Sequence, residues 1–487
     1  MNQLEVIKIW GENAGTDLET TVQYVSDNHN NPQVLVVSAM RSEDLDFNTT
    51  DKLKLAAQYL TENNLLEAHD VFNSIINFHI EALKKQSADF LIPEIKEIFL
   101  NISESFESNL WFELSNENDF TINVFWKSES LLWLWEKISA FVHTRLLEKS
   151  WVNAQMVDME NIEIKWKHTY TKNVTDYFST EISRILSEWN VPVIWGFIAN
   201  IPGGILENIN RGYTDATASL VALSQKENYE KIRLNIFKSV DWILWVDPRL
   251  FPKDSKINLI SHMDYLSARE LTGGSIWWKA KFLHEYALSQ DIMDAWVELK
   301  IMDPKKSELW TTVSAEKNTL SRWVEIVNKR DWISFVRITK AAFSEWVGDV
   351  QKIFDIVKSK WFSIDMITTS ETQVSFSLDV NNQDDLDNLK STLINKFFNN
   401  KVSDIDYVDI QRNMSLIHCI WQNLDHEYQL SLAYGILALE KENIKIHTFW
   451  WEREKGAIIF AVEQKDAINS LQILAKQFNL VKEKNEI

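Results

Sequence analysis

Short apolar runs alternate with amphipathic stretches through the first 300 residues. LEVIKIW (4–10), QVLVVSA (33–39) and VPVIW (191–195) are nearly unbroken apolar segments bounded by polar residues, the pattern of strands buried on both faces. NAQMVD (153–158) and IRLNIFK (232–238) also read as strands. Helical periodicity fills the gaps, at about 16–28, 131–150, 174–188 and from 214. Apolar residues at three-to-four spacing through 50–117 predict a helical insertion. Strands and helices in alternation imply an α/β fold with a mostly parallel sheet. In such sheets ligands bind at the carboxyl ends of the strands.

The tail has a different rhythm. ISFVRIT (333–339), a helix at 348–360, FSIDMI (362–367), TQVSFSLDV (372–380), a helix at 383–398 and YVDIQ (407–411) make one βαββαβ run. MSLIHCI (414–420), a helix at 428–442, IKIHTF (444–449), AIIFAVE (457–463) and a helix at 465–478 restart it. This is an internal duplication with a period near 80 residues. Two ferredoxin-like domains, about 325–412 and 413–487, are expected after a domain at 1–312 whose helical insertion spans about 50–130. Domains of this kind commonly bind a regulatory ligand or dimerise through their sheets.

Charge narrows the function. The 487 residues include 50 Lys+Arg and 70 Asp+Glu, a net charge of −20. A nucleic-acid partner would need a basic face, so none is expected. A polyanionic substrate would have to be held by a few placed cations or by a divalent metal. The lone cysteine, Cys419, leaves no disulfide framework and no cysteine-based zinc site. MNQLEVIKIW does not read as a signal or transit peptide, and no apolar run reaches ~18 residues. No membrane partner is expected, and the expected location is cytoplasmic.

Tryptophan and glycine are out of balance. There are 22 Trp and 11 Gly. Together they number 33 of 487 residues, about 7%, which is the usual share of glycine alone. Trp361 stands between a helix and a strand, and Trp151 and Trp189 stand at the same kind of junction. That position commonly needs a left-handed backbone, which glycine supplies. Asp241–Trp242 and Asp331–Trp332 stand where Asp-Gly turns would be natural. The arithmetic and the placement predict that many of these codons are UGA, read as glycine in the source and as tryptophan here. A Trp-rich protein with aromatic platforms for a sugar or ring ligand is the alternative. Trp151, Trp189 and Trp361 are expected at helix ends, mostly exposed.

Six short motifs carry candidate chemistry. Lys8-Ile9-Trp10-Gly11 ends the first strand; with Gly at 10, paired glycines would let backbone amides approach a phosphate beside a lysine point charge. Val37-Ser38-Ala39-Met40 places a hydroxyl at a strand end. Leu134-Trp135-Glu136-Lys137 offers a carboxylate on a helix. Val191-Pro192-Val193-Ile194-Trp195-Gly196 is followed by Arg211-Gly212-Tyr213-Thr214-Asp215, with a cation and a carboxylate at a helix start, where anions bind. Val240-Asp241-Trp242 through Asp247-Pro248-Arg249, and Ala280-Lys281-Phe282-Leu283-His284, complete the set. Each has an ordinary alternative: a solvated lysine, a turn or capping serine, a helix-surface glutamate, a capped helix with a surface arginine.

In order, and with Trp read as Gly, these motifs resemble the aspartate kinases of the amino-acid kinase superfamily. The likeness spans about the first 310 residues. The tail resembles that family's paired ACT domains. Ser363-Ile364-Asp365-Met366-Ile367-Thr368-Thr369-Ser370-Glu371 resembles the signature of its monofunctional lysine-sensitive class. The resemblance implies a three-layer αβα kinase fold followed by two ACT domains. It implies phosphorylation of the L-aspartate side-chain carboxylate by ATP with Mg²⁺, the first step toward lysine, threonine and methionine. Lys8 and Asp215 would be catalytic. Ser38, Glu136 and Arg211 would hold aspartate. Trp10, Gly11, Asp241, Asp247, Arg249 and Lys281 would bind the nucleotide. An amino-acid effector, lysine by the class signature, would sit between subunits on Phe343, Gly348, Asp349, Ser363, Asp365, Thr369, Ser370 and Glu371. A homodimer through the tail, or a dimer of such dimers, is implied. The chain departs from the family pattern at Glu12-Asn13 (Thr-Ser), Arg41 (Gly), Tyr213-Thr214 (Gly-Ser), Lys238-Ser239 (Thr-Asp) and Glu285 (Pro). An amino-acid sensor without catalysis, and a kinase for another carboxylate or carbamate, are the alternative readings.

Overall fold

The computed structural model describes residues 3–11, 14, 18–40, 49–62, 64–98, 120–159, 162, 170–198, 212–238, 243–273, 285–306, 310–316, 324–340, 349–370, 372–398, 407–421, 428–452 and 456–482. The chain divides into two compact units. The first comprises 1–243, 261–265 and 282–316; the second comprises 244–260, 266–281 and 317–487.

The first unit is built on an eight-stranded sheet. Its strands are β1 (Gln3–Ile9), β2 (Gln33–Val37), β3 (Ala154–Met156), β4 (Val191–Trp195), β5 (Lys231–Phe237), β6 (His262–Asp264), β7 (Glu298–Met302) and β8 (Trp310–Ser314). The order across the sheet is β3-β4-β2-β1-β5-β7-β8-β6. Every pairing is parallel except β7 with β8. All residues of β2 and β4 are buried, as are six of seven in β1. That burial accounts for the unbroken apolar runs: in a parallel sheet covered on both faces, neither side of a strand meets water.

Helices cover the sheet in two groups. α1 (Leu18–Asp27), α2 (Thr49–Thr61), α3 (Leu65–Lys85) and α4 (Phe120–Lys149) touch one another, and α4 packs on β2, β3 and β4. α5 (Tyr170–Ser187), α6 (Tyr213–Ser224) and the short α7 (Gln290–Asp294) form the other group, with α6 on β1, β2 and β5. Every residue of α6, YTDATASLVALS, is buried. Its alanines, serines and threonines let a helix lie close against the sheet. The helical insertion expected at about 50–130 is present as α2 and α3; residues 99–119 lie outside the described residues.

The second unit holds one six-stranded antiparallel sheet. Its strands are β9 (Ile326–Thr339), β10 (Ile364–Thr369), β11 (Gln373–Leu378), β12 (Tyr407–Ile420), β13 (Thr448–Glu452) and β14 (Ala457–Glu463), in the order β10-β11-β9-β12-β14-β13. The helices are α8 (Asp349–Ser359), α9 (Gln383–Phe398), α10 (Tyr428–Lys441) and α11 (Ala467–Gln477). Both halves of the expected duplication are here, but they are interleaved rather than in tandem. The sequence reading separates 407–411 from 414–420; the structure fuses them into β12. β9 pairs with β12 along its whole length, from Ile326 opposite Ile420 to Thr339 opposite Tyr407. The first half uses 333–339 and 407–411. The second half begins at 414–420 and takes its fourth strand from Ile326–Arg330, ahead of the first half in the chain. A division at 412/413 therefore separates that strand from its partner. Each half has its own apolar core, one around Val336, Ile353, Phe376 and Leu389, the other around Val327, Cys419, Phe460 and Leu474. Within the second unit, Val246 and Phe251 join the latter core, and Val481–Lys482 pairs with Lys256–Ile257.

Trp151, Trp189 and Trp361 lie where the sequence predicts. Their φ angles are 62, 60 and 59°, and they are 94, 87 and 95% exposed. Each closes a helix in the same way. The Trp amide bonds back to the third residue before it, and the next amide bonds to the fifth before that: Trp151 to Glu148 and Val152 to Leu147, Trp189 to Leu186 and Asn190 to Ile185, Trp361 to Lys358 and Phe362 to Val357. This is the helix-ending motif whose left-handed residue is normally glycine. Trp296 repeats it after α7 at φ 53°, and Trp332 sits at the β9 irregularity at φ 65°. Among the described residues nine non-glycines have positive φ; five are Trp, and three of the other four are Asn, a residue type that tolerates this conformation.

Candidate active site

At the carboxyl ends of β1 and β2, Lys8 and Ser38 meet Glu136 of α4 and Asp215 of α6. Lys8 is the penultimate residue of β1, and Asp215 lies in the first turn of α6. The turn into α6 is set by Gly212, at φ 92°, whose carbonyl accepts from the Asp215 amide at 3.0 Å. A carboxylate there is favoured by the positive end of the helix. Lys8 Nζ and Asp215 Oδ1 are 2.6 Å apart, with side chains 1 and 4% exposed. Burial lowers the Lys8 ammonium from its ordinary value, while Asp215 opposes that shift by attraction and hydrogen bonding. A buried ion pair is a poor source of stability, because desolvation offsets most of the attraction. It is a good device for fixing one ammonium at one point.

Glu136 faces the same region from α4, and its charge acts on Lys8. It is fully buried. Ser38 Oγ and the Ala39 amide each donate to Glu136 Oε1 at 3.3 Å. Burial pushes its carboxyl up to about 7, against the opposing pull of the Ala39 amide, the Tyr213 hydroxyl, the Phe197 amide and the Ser38 hydroxyl. Strand ends are tied together around it: the Ser38 amide donates to Ile9, and the Gly196 amide to Val37. Gly196 is required by space, since a Cβ there would lie 2.4 Å from Thr214 Oγ1.

Trp10 is half-buried beyond the end of β1, and Gly11 follows it at the start of a helical turn. The Trp10 indole lies beside the Lys8 ammonium, 5.1 Å from ring centroid to Nζ. Lys238, which the motifs do not select, reaches the same ring at 4.3 Å. Trp135 and Trp195 are buried at 1 and 0% exposure. Trp135 packs against His79, with centroids 4.5 Å apart, and Lys137 lies over Trp195 at 5.7 Å. None of Trp10, Trp135 and Trp195 has a positive φ. Among the described residues, the Trp with positive φ are those at helix ends and at the β9 irregularity.

The remaining predicted residues distribute as follows. Arg211, Asp241, Lys281, Phe343, Gly348 and Glu371 lie outside the described residues, as do the side chains of Asp349 and Asp365. Asp247 and Arg249 lie in the second unit. The Asp247 carboxylate caps the Pro248–Leu250 turn by accepting from the Arg249 amide at 2.8 Å, and it pairs with the guanidinium at 3.0 Å. Ser363 precedes β10, whereas Thr369 ends it and Ser370 follows; all three are exposed. A six-residue strand separates the two groups by about 20 Å, so one copy of the chain does not gather them at a point. Among the described residues no three His, Cys, Asp or Glu side chains cluster as metal ligands.

Tyr213 and Lys238, to which the motif reading gives no role, also reach this region, Tyr213 by its hydroxyl to Glu136 and Lys238 at the Trp10 ring. Both stand at departures from the family pattern. The signal that finds them is positional: each lies where a strand or turn opens onto the carboxyl edge of the sheet.

Comparison with known proteins agrees with this frame. The profile described as "Amino acid kinase family" matches residues 6–287. An aspartokinase of Schizosaccharomyces pombe is 25% identical over 71% of this chain and 69% of its own length. An aspartokinase of Candida albicans is 22% identical over 91% of this chain and 83% of its own. Among solved structures, Clostridium acetobutylicum aspartate kinase superposes with a TM-score of 0.70 at 18% identity, covering 98% of this chain and 99% of that one. E. coli aspartokinase III in complex with aspartate and ADP gives 0.68 at 18% identity, covering 97 and 99%. At such identities the structural likeness establishes the fold.

Proposed function

From a chain that belongs to the amino acid kinase family, we propose an enzyme: an aspartate kinase that transfers the γ-phosphoryl group of ATP to the side-chain carboxylate of L-aspartate, giving 4-phospho-L-aspartate and ADP. The observation that carries this reading is the buried Lys8–Asp215 pair at 2.6 Å on the carboxyl edge of a parallel sheet, within electrostatic reach of buried Glu136. The curated aspartokinase relatives support the substrate.

The chemistry asks little of an acid or base. A carboxylate oxygen of aspartate forms a bond to the γ-phosphorus, the bond from that phosphorus to the bridging oxygen of ADP breaks, and ADP leaves with the electron pair. The nucleophile is already ionised at neutral pH, so no proton has to be removed. Positioning and charge neutralisation supply most of the rate. Lys8 places a positive charge where the phosphoryl group transfers, and Asp215 fixes the direction of that ammonium. Ser38 and Glu136 serve the amino acid, with the Glu136 carboxylate taking its ammonium. Arg211 is proposed for a substrate carboxylate, and Asp241, Asp247, Arg249 and Lys281 for the nucleotide.

Mg²⁺ fits this donor set as a nucleotide-borne ion. It is ordinarily held through one or two carboxylates and substrate phosphates rather than by a protein cage, and Asp215 and Glu136 are described carboxylates facing that region. Bound with ATP, it supplies neutralisation of phosphate charge. The second unit is proposed to bind an amino-acid effector, lysine, between two copies of the chain. The separation of Ser363 from Thr369 and Ser370 along β10 favours a site that draws its two ends from different subunits.

The test is acyl-phosphate formation. ATP, Mg²⁺ and the chain should yield a hydroxylamine-trappable product and ADP with L-aspartate present, and neither when aspartate is omitted or when the variant K8M is used. Lysine binding without any aspartate-dependent turnover would instead identify a sensor.

A further inference from the structure

The amino edge of the first unit's sheet, opposite the edge that holds Lys8 and Asp215, carries a pocket of about 390 Å³. Three connections meet there: 28–32 from α1 into β2, 188–190 from α5 into β4, and 225–230 from α6 into β5. The parallel register that sets Leu35 beside Val193 brings Gln33 level with Val191, and both line the pocket. Gln33 is 1% exposed. Among the described residues, neither the oxygen nor the nitrogen of its side-chain amide has a hydrogen-bond partner. A buried amide ordinarily finds partners, because the loss of its water is otherwise uncompensated. Another wall is held in place by the buried Gln225. Ser183 donates to Gln225 Oε1 at 3.2 Å, and Asn228 donates to Gln225 Oε1 and to Ser183 Oγ at 3.1 Å each. Gln225 donates in turn to the Phe178 carbonyl at 3.2 Å. The half-buried Tyr229 adds an aromatic ring. None of the described residues that line the pocket is Asp, Glu, Lys or Arg.

We propose that this pocket binds an uncharged planar ring carrying an N–H donor beside a carbonyl acceptor, the edge of a pyrimidine base, and that Gln33 pairs with that edge through both of its amide atoms. The inference does not rest on the kinase reading, and the pocket shares no residue with the site built on Lys8, Glu136 and Asp215. A glutamine amide presents a donor and an acceptor side by side in one plane, so its complement is a group with the same pair reversed. Tyr229, Leu186 and Val191 suit the faces of a ring, and Ser183 and Asn228 suit its further polar atoms. Pockets for small molecules combine such apolar walls with a few placed polar groups. Without a lysine or arginine in the lining, a phosphate gains no ion pair there, so the preference is for a nucleoside over its nucleotide. Trp189 stands at the rim, 87% exposed, and its replacement by glycine leaves the pairing group in place.

The test is calorimetric titration, backed by ligand-observed NMR, with uridine, N3-methyluridine, uridine monophosphate and ribose. Uridine is the probe because an adenine ring would also enter the proposed nucleotide site. The chain, Q33M, N228A and W189G are compared. Uridine should bind the chain, and W189G should bind it within about twofold of that affinity. Q33M should weaken uridine about tenfold or more. N3-methyluridine, which lacks the ring donor, should bind the chain no better than uridine binds Q33M, and the monophosphate should bind no more tightly than uridine. Without ligand, Q33M should melt at a higher temperature than the chain, since a thioether does not carry the cost of an unpaired amide. N228A, changed at an exposed position, should weaken uridine several-fold. Uridine affinity unchanged in Q33M, or unchanged in N228A should Q33M fail to fold, would overturn the inference. Ribose binding as tightly as uridine, or absence of uridine binding to both the chain and W189G, would overturn it as well.

Discussion

At the scale of single residues, the tryptophans divide by backbone conformation. Trp151, Trp189, Trp296 and Trp361 occupy the left-handed position that ends a helix, and Trp332 occupies one at a strand irregularity. For a residue with a Cβ this conformation costs roughly 1–2 kcal/mol. Their rings recover little by burial, since all five are more than half exposed. W361G should stabilise the chain by about 1 kcal/mol, read as a higher denaturant midpoint. W361A, which removes the ring and keeps the Cβ, should not match it. A loss of stability in W361G would sink the reading of these positions as glycine sites. Glu136 gives a residue-scale prediction of another kind. With its carboxyl raised to about 7, it is mostly protonated at pH 6 and mostly ionised at pH 8. Only the ionised form can pair with the ammonium of aspartate. The kcat/KM for aspartate should therefore rise through neutral pH, and that ascending limb should vanish in E136Q, with KM raised about tenfold. A limb that survives in E136Q would assign it to another group.

At the scale of elements, the register of β9 with β12 decides the architecture of the second unit. Periodicity correctly marks most of its strands and helices, because alternation and three-to-four spacing are local properties. It does not show that Ile326–Arg330 pairs with Leu416–Ile420, because pairing partners far apart in sequence leave no local trace. The final strand missing from the second repeat was the available clue. A fragment spanning 413–487 lacks that strand and leaves β12 with an unsatisfied edge over Val327's place in the core. It should remain largely unfolded by circular dichroism, whereas 324–487 should regain sheet and a cooperative melt. An independently folded 413–487 would refute the interleaved pairing. The long helical insertion shows the opposite case. Its helices are read from pattern alone because amphipathicity is written within each segment.

At the scale of the whole molecule, two units carry two proposed tasks. The first gathers Lys8, Asp215, Glu136 and Lys238 at the edge of its sheet; the second sets Ser363 and Ser370 at opposite ends of one strand. If the effector lies between copies of the second unit, L-lysine should bind with a measurable heat, lower aspartate-dependent turnover and favour the dimer in sedimentation. Failure of all three would remove lysine as the effector. Among the described residues no helix is long and apolar enough to cross a membrane. Against a net charge of −20, Lys8 and Lys238 are buried cations at the carboxyl edge of the first unit's sheet.

The order of strands and helices as far as β5, the duplicated tail, the glycine-like positions of Trp151, Trp189 and Trp361, and the candidacy of Lys8, Glu136 and Asp215 were legible in the linear chain; β6, β7 and β8 were not read there. Each depends on neighbours within a few residues, or on motifs whose order survives without knowledge of contacts. The meeting of Lys8 with Asp215, the burial that raises Glu136, the placement of Lys238 against the Trp10 ring, and the exchange of a strand between the tail's halves were decided only by the tertiary structure. Desolvation, charge proximity and strand pairing are properties of groups distant along the chain, and they acquire values only once the fold has brought those groups together.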